Sequence, residues 1–484
     1  MTAIVWLRDD LRLDDQPAIS AAAHAPALFV YVHDEKAGRP LGGASRWWLD
    51  KSLRAFAASL ERIGGRLDVV RGEAETVIPA LARQATAVYW TRRYGAAGIE
   101  TDKRIKAGLR GLGVRPESFN GQLLREPWEV TTDQGGPFKV FTPFWRKARA
   151  LGPFSPPIAA PRRLHAAPWP EGAPERVAIA DLGLHPRAPD WSGGLAAAWT
   201  PGEAGARARL ARFLDAALAP YAEARDRLDG ETTSRLSPHL RFGEISPRRV
   251  VAATETAAQQ SGALRGAEKF LSELGWREFS YALLYQAPDL ARKNWSPRFD
   301  AFPWRRDEEA LEAWRRGRTG YPVVDAGLRE LWATGYMHNR ARMIAASFLA
   351  KHLLIDWREG EAWFWDTLCD ADEANNPASW QWVAGCGADA APYFRVFNPV
   401  LQGERFDPDG AYVRRWIPEL AGLDARYVHA PWKAPSGVRL GRDYPAPIVD
   451  HDFARARALE AFAEISGGAG QRNPKARKSA KNSG

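Results

Sequence analysis

The sequence predicts an α/β domain built on a doubly wound parallel sheet, then a long connector, then an all-α domain. Three observations carry that expectation. Short apolar runs alternate with helical patterns over roughly the first 120 residues, and this βαβα order requires a parallel sheet with helices on both faces. A proline-rich stretch with no long periodic segment follows. Beyond about residue 204 the patterns are nearly all helical and strand-like runs are scarce.

In chain order, AIVWL (3–7), ALFVYV (27–32), LDVV (67–70) and AVYW (87–90) read as buried strands. Between the second and third lies RWWLDKSLRAFAASLERI, a helix expected to be capped by Ser45 and to end at Gly64-Gly65. The first strand-to-helix turn, RDDLRLDDQP, has no glycine, so the glycine-rich dinucleotide fingerprint is absent. The expected divisions are an α/β domain over 1–130, a connector over 131–203, a helical domain over 204–465 and a basic, disordered tail over 466–484. The helical domain includes ARARLARFLDAALAPYAEARDRL, EKFLSELGWREFSYALLY and NRARMIAASFLAKHLL. No internal repeat is evident.

The chain has 484 residues, enough for two or three domains with a sizeable core. With 45% hydrophobic and 26% charged residues it reads as globular. Two cysteines, Cys369 and Cys386, exclude a disulfide framework and a four-cysteine zinc site, and no metal is expected. The N-terminus has no secretory pattern and no stretch of about 20 apolar residues occurs, so the expected compartment is the cytoplasm and no membrane is involved. Lys+Arg exceed Asp+Glu by 67 to 58, and there are 21 tryptophans. A basic, aromatic-rich chain invites a nucleic-acid reading, although tryptophans also build cores and a charge of +9 also serves solubility.

Four segments of the helical domain carry candidate chemistry, each with a plainer alternative. In TTSRLSPHLRFGEISPRRV (232–250), Ser237-Pro238 and Ser246-Pro247 are helix starts. Thr233, Ser234, Arg235 and Ser237 also suit a pyrophosphate. In SELGWREF (272–279), Glu273, Trp276 and Arg277 share one helical face; the alternative is an exposed Glu–Arg pair beside a packed Trp. YMHNRARMIAASF (336–348) puts Asn339, Arg342 and Met343 together in the same way, or is simply amphipathic. DADEANNPASWQW (370–382) places Asp370 and Asp372 before a helix whose start is expected at Asn376-Pro377. Its Trp380 and Trp382 point to different faces.

In this order the motifs resemble the photolyase/cryptochrome family, and within it the microbial, class I-type photolyases of cyclobutane pyrimidine dimers. The resemblance runs along nearly the whole chain, through VWLRDDLRLDDQPAI, FKVFTPFWRKAR, TSRLSPHLRFGEISP, TGYPVVDAGLRELWATGYMHNRARM, WQWVAGCGADAAPYFRVFNP and YPAPIVDH. It implies FAD in the helical domain. Tyr221, Thr233, Ser234, Arg235, Leu236 and Ser237 would hold its phosphates and ribityl chain. Arg277, Arg342, Asp370 and Asp372 would surround the flavin, and Asn376 would face its N5. Plant cryptochromes carry aspartate there, so Asn376 leans toward repair.

The resemblance further implies a lesion pocket of Glu273, Trp276, Asn339, Met343 and Trp382. An electron relay would run through Trp380, Trp357 and Trp304, and Arg225, Arg340 and Arg395 would meet DNA phosphates. The implied reaction is light-driven: reduced FAD lends an electron to a dimer flipped out of UV-damaged DNA, the ring splits and the electron returns. Photolyases are a standard example of base flipping, so that step is not an independent expectation. Glu273, Asn339 and Asn376 are the residues implied in catalysis. An antenna, a reduced folate or a deazaflavin, is implied for the first domain, yet RRYGAAGIETDKR (92–104) lacks the Asn-Glu pair of the enterobacterial folate type. Tyr336 stands where many relatives carry Trp. A monomer is the default. The rival readings are a cryptochrome-type light-signalling protein, a six-four photoproduct photolyase using a histidine pair that includes His338, and a flavin electron carrier without DNA.

Overall fold

The computed structural model describes residues 2–390, 394–435 and 441–466. Five parallel strands, β1 (Ala3–Leu7), β2 (Ala27–His33), β3 (Leu67–Arg71), β4 (Ala87–Thr91) and β5 (Arg115–Phe119), lie in the order β3-β2-β1-β4-β5. Every residue of β1, β2 and β4 is buried, as a sheet covered on both faces requires. The covering helices are α1 (Pro17–Ala22), α2 (Gly43–Glu61), α3 (Ala74–Ala82) and α4 (Ala96–Gly111). The expected strands match to within a residue. The fifth, RPESF, has no apolar run to announce it: it is polar, carries a proline and alternates in exposure, which an edge strand tolerates.

Two local expectations fail here. Helix α2 begins at Gly43 with Gly42 as its N-cap, and Ser45 is already inside it, donating to the Leu368 carbonyl at 3.2 Å. The connector is also not wholly irregular. It contains α5 (Phe141–Ala150), which buries Phe141, Phe144 and Ala148 at helical spacing, a signal hidden in a segment with three basic residues.

The connector also carries α6 (Gly193–Ala198), and the helical domain then comprises α7 (Glu203–Ala216), α8 (Tyr221–Ala224), α9 (Ser237–Arg241), α10 (Pro247–Ser261) and α11 (Leu264–Gln286). It continues with α12 (Glu308–Arg315), α13 (Pro322–Thr334), α14 (Asn339–Ser347), α15 (Trp357–Thr367), α16 (Asn375–Ala384), α17 (Pro399–Phe406), α18 (Ala411–Trp416) and α19 (His451–Ile465). A single π-turn, Phe348–His352, extends α14. The core gathers Val324, Ile344, Phe348, Trp357, Trp314 and Trp380. The expected tail lies outside the described residues after Ser466.

Buried polar contacts join the two domains. Glu244 takes the Trp48 indole N–H at 3.0 Å and meets His239 at 2.5 Å. Arg12 donates to the Gly243 and Gly121 carbonyls at 2.9 and 2.7 Å. Gly243 has φ +63°, and a Cβ there would lie 2.1 Å from the Asp9 carbonyl oxygen, so only glycine lets the segments approach.

Candidate functional site

The helical domain encloses a cavity of about 330 Å³. Tyr221, Thr233, Ser234, Arg235, Leu236, Ser237, Arg277, Arg342, Asp370, Asp372 and Asn376 all line it, as do Glu273, Trp276, Asn339, Met343 and Trp380. Of the residues expected to meet a lesion, Trp382 instead lines a neighbouring groove, where its indole N–H donates to the Asp389 carbonyl at 2.9 Å. Met343 and Val383 belong to both walls, so groove and cavity adjoin.

Each side chain is placed by a local cause. Helix α11 carries Glu273, Trp276 and Arg277, three and four residues apart on one turn. Trp276 is fixed by a stack on Phe141 of α5, with centroids 3.9 Å apart and planes at 12°. Helix α14 carries Asn339, Arg342 and Met343. Arg342 grips Asp370 through two bonds of 3.0 and 2.8 Å and donates to the Met337 carbonyl at 2.7 Å. Burial alone would lower the Arg342 pKa, but facing Asp370 raises it above the usual guanidinium value.

Two expected helix starts, which would make Ser237 and Asn376 N-caps before their prolines, are corrected. Ser237 is the first residue of α9 rather than its cap, and its hydroxyl donates to Asp370 at 2.6 Å. Helix α16 starts at Asn375, one residue before the expected Asn376 cap. Asp372 accepts from the Ala374 and Asn375 backbones at 2.8 and 2.5 Å, which frees the Asn376 amide for other work. Arg235 holds a left-handed φ of +50° and lies over Trp199 and Tyr336, 4.7 Å from each ring. Tyr221 is buried at the start of α8, where burial and the nearby Glu273 push its phenol pKa up.

Can this cavity hold FAD? Its polar wall offers hydroxyls, guanidinium groups and the Arg342–Asp370 pair, beside apolar Leu236, Phe270, Leu274 and Phe364. Two buried polar atoms of its lining residues, Arg235 Nε and Trp380 Nε1, have no partner among the described residues. Buried polar groups are normally paired, so such orphans fit a ligand that supplies the missing acceptors. The donor set suits a dinucleotide.

The three expected DNA-phosphate residues fare differently. Arg225 clamps Glu273 through contacts of 2.5 and 3.0 Å, so its charge is already engaged by that carboxylate. Arg340 pairs with Asp226 at 2.5 Å and lies over Phe406. Arg395 is exposed, and its backbone carbonyl takes the Lys351 ammonium at 2.5 Å. The groove of about 630 Å³ gathers Arg298, Arg340, Lys351, Arg395 and Arg405 against a single carboxylate, Asp226. The sequence reading missed Arg298, Lys351 and Arg405. They come from separate segments with no shared local pattern. Burial lowers the Lys351 pKa to about 7.

The expected relay tryptophans are graded in depth. Trp380 and Trp357 are buried and Trp304 is half-buried. Trp380 meets the Phe364 and Trp314 rings at 4.9 and 6.1 Å. A Cβ on Gly360 would lie 2.1 Å from the Trp380 ring, so α15 and α16 close tightly there, one turn from Trp357. His338 accepts from the Arg340 N–H at 3.1 Å, and burial lowers its pKa to about 4.

A second cavity of about 320 Å³ lies at the carboxyl ends of β1, β2 and β4, where Arg8, Asp9, His33 and Arg93 line it. This is the switch point of a doubly wound sheet, the usual place for a ligand. Arg241 and Asp372 line both this cavity and the helical one. Burial would raise the Asp9 pKa, but Arg93 and Arg241 hold it well below the usual carboxylate range.

Two family profiles match the chain: "DNA photolyase" over residues 3–162 and "FAD binding domain of DNA photolyase" over residues 270–464. The chain is 51% identical over 472 residues to the deoxyribodipyrimidine photo-lyase of Agrobacterium fabrum, covering 96% of this chain and 98% of that one. It is 38% identical over 485 residues to cryptochrome-1 of Arabidopsis thaliana, covering 96% of this chain and 70% of that one. Among solved structures it is similar to a class III photolyase from Agrobacterium tumefaciens, with TM-score 0.92, 50% identity and coverage of 96% and 98%. That likeness is to class III, and the class I-type expectation gains no support from it.

Proposed function

The chain belongs to the photolyase/cryptochrome family, and on that premise we propose that it is a light-driven DNA-repair enzyme, a deoxyribodipyrimidine photolyase. One observation carries this reading: the cavity that suits FAD opens beside a groove lined, among the described residues, by four arginines, one lysine and one carboxylate. When bound, FAD supplies light absorption and the transferable electron.

The chain's own residues bind and orient. Arg235, Thr233, Ser234 and Ser237 hold the diphosphate and ribityl chain, with Tyr221 and Leu236 closing that end. Arg342, locked to Asp370, fixes the ring system together with Arg277 and Asp372. Trp276 and Trp382 bracket the flipped dimer. Glu273 and Asn339 bond its base edges, and Met343 fills the space between as a soft contact. Asn339 supports that role: it is exposed, and among the described residues its amide has only a 3.8 Å contact with the Met343 sulfur. Trp380, Trp357 and Trp304 relay electrons to oxidised flavin. Arg298, Arg340, Arg395 and Arg405 meet the phosphates flanking the lesion, a contact mode that positions DNA without reading its sequence. The cavity at the sheet's switch point is the place for an antenna chromophore.

Repair is favoured over signalling by the intact lesion set around Glu273 and Asn339. A six-four reaction is disfavoured because His338 already caps α14 and is held neutral. The working form is a cytoplasmic monomer. Both cysteines are free and buried, and no helix among the described residues is long and apolar enough to cross a membrane.

The reading is tested by titrating FAD-loaded protein with one oligonucleotide, with and without a single thymine dimer, across a salt series. We expect tighter binding to the damaged strand and an affinity that falls as salt rises. Equal affinity for both strands, or a flat salt response, contradicts it.

A further inference from the structure

The two tryptophans that bracket the dimer stand on different helices, Trp276 on α11 and Trp382 on α16, and both are half-buried. A flipped dimer needs them at one spacing, and neither helix sets that spacing alone. Trp276 leans on Phe141, the first residue of α5. Helix α5 is seated on α11 through Trp145, since a Cβ on Gly275 would lie 2.6 Å from that ring. Its start has no local cap: Val140 occupies the N-cap position, and its side chain has no acceptor for the first N–H groups.

The acceptor comes from 248 positions further along the chain, in Asp389. After α16 the chain turns at Gly385, with φ +99°, and folds back along its own helix: a Cβ on Gly387 would lie 2.6 Å from the Trp382 backbone nitrogen. The turn delivers Ala388 into the core beside Phe141 and Phe144. Asp389 follows with a left-handed φ of +54°, a conformation that aspartate and asparagine adopt more readily than most side chains. It bonds in two directions. Its carbonyl accepts the Trp382 indole N–H at 2.9 Å, and its carboxylate accepts the Phe141 N–H at 3.3 Å. A carboxylate at a helix start also meets the positive end of the helix dipole. One connection therefore runs from Trp382 through Asp389 and Phe141 to Trp276, by two hydrogen bonds and one ring stack.

We propose that Asp389 is a positioning residue that fixes the separation of the two lesion tryptophans. This deepens the function proposed above and rests on its placement of Trp276 and Trp382 against the dimer. The effect is on discrimination. A dimer held between two correctly spaced rings gains affinity that an unflipped, undamaged strand does not, because the rings are already in place when it arrives. Undamaged DNA depends on the cations of the groove instead.

The test is the affinity of FAD-loaded protein for one oligonucleotide, with and without a single thymine dimer. Asp389→Gly keeps the left-handed backbone without strain and removes the acceptor. It is expected to weaken binding of the damaged strand about fivefold, the scale of one hydrogen bond, while undamaged-strand affinity, salt slope and flavin content stay at wild-type values. Asp389→Asn keeps a side-chain oxygen on the same backbone conformation and is expected to restore most of the discrimination. In a Phe141→Leu background, where the stack on Trp276 is gone, Asp389→Gly is expected to add nothing, because residues acting through one contact are not additive. A wild-type ratio of the two affinities in Asp389→Gly, an equal loss on both strands, no recovery in Asp389→Asn, or a further loss in the Phe141→Leu background overturns the proposal. If Trp276→Ala and Trp382→Ala also keep the wild-type ratio, the placement of the bracket falls instead.

Discussion

The helical cavity and the basic groove beside it use charge in opposite ways. In the cavity two pairs are matched in advance, Arg342 with Asp370 and Arg225 with Glu273, while Arg235 keeps its Nε free of any partner among the described residues. In the groove Arg298, Arg395 and Arg405 form no ion pair among the described residues; Arg298 and Arg405 lie over the Phe299 and Phe406 rings instead. Paired charges cost less to desolvate and hold one geometry, which suits a cofactor and one lesion. Unpaired cations on a wet surface suit a polyanion, whose released counterions drive binding whatever the sequence. The difference teaches that one protein can separate recognition from attraction by whether its arginines are already engaged.

The sharpest way to break the comparison is at Asp370. Asp370→Ala leaves the half-buried Arg342 with only the Met337 carbonyl as a partner, at about 1–3 kcal/mol. The purified protein is expected to lose most of its FAD, read as the flavin-to-protein absorbance ratio; full flavin content contradicts the pairing argument. Next comes Glu273→Ala. FAD content should stay, while repair per absorbed photon falls about tenfold or more, the scale of one charged hydrogen bond. An unchanged yield removes Glu273 from the lesion site.

The groove predicts a smaller and different effect. Arg298→Ala with Arg405→Ala should weaken damaged and undamaged DNA alike. The salt slope should fall by about 2, since each phosphate that a cation neutralises adds about 0.9 to it. A weakening confined to damaged DNA would move these residues into the lesion site. An effect on stability rather than on binding is expected at Lys351. Its folded pKa of about 7 lies below the ordinary lysine value of 10.5. Between those values the unfolded chain binds the extra proton, so stability should rise with pH across that window. Lys351→Met should flatten the rise in thermal unfolding midpoints; a slope equal to wild type contradicts the assignment.

How much of the molecule is legible in its sequence follows from how each part is built. The strands around Val5, Phe29 and Val88 are legible because burial on both faces writes a continuous apolar run. RPESF is not, because an edge strand needs no such run. The cavity residues are legible as local clusters on α11, α14 and α16, and the order of those clusters along the chain carries the family resemblance. What no local pattern contains is partnership across elements. Arg225 reads as a phosphate residue, yet it faces Glu273, 48 positions away. Asn376 reads as a helix cap, yet it faces Glu361 and, through it, Arg39 of the other domain. Arg298, Lys351 and Arg405 escape notice for the same reason: only folding brings them to one wall.

Repair under light against darkness is the decisive experiment. Anaerobically reduced, FAD-loaded protein is mixed with an oligonucleotide carrying one cis-syn thymine dimer. Half is illuminated with blue light, and the intact strand is quantified. The account predicts restored thymines in the illuminated sample only. No repair by protein confirmed to hold reduced FAD would contradict it.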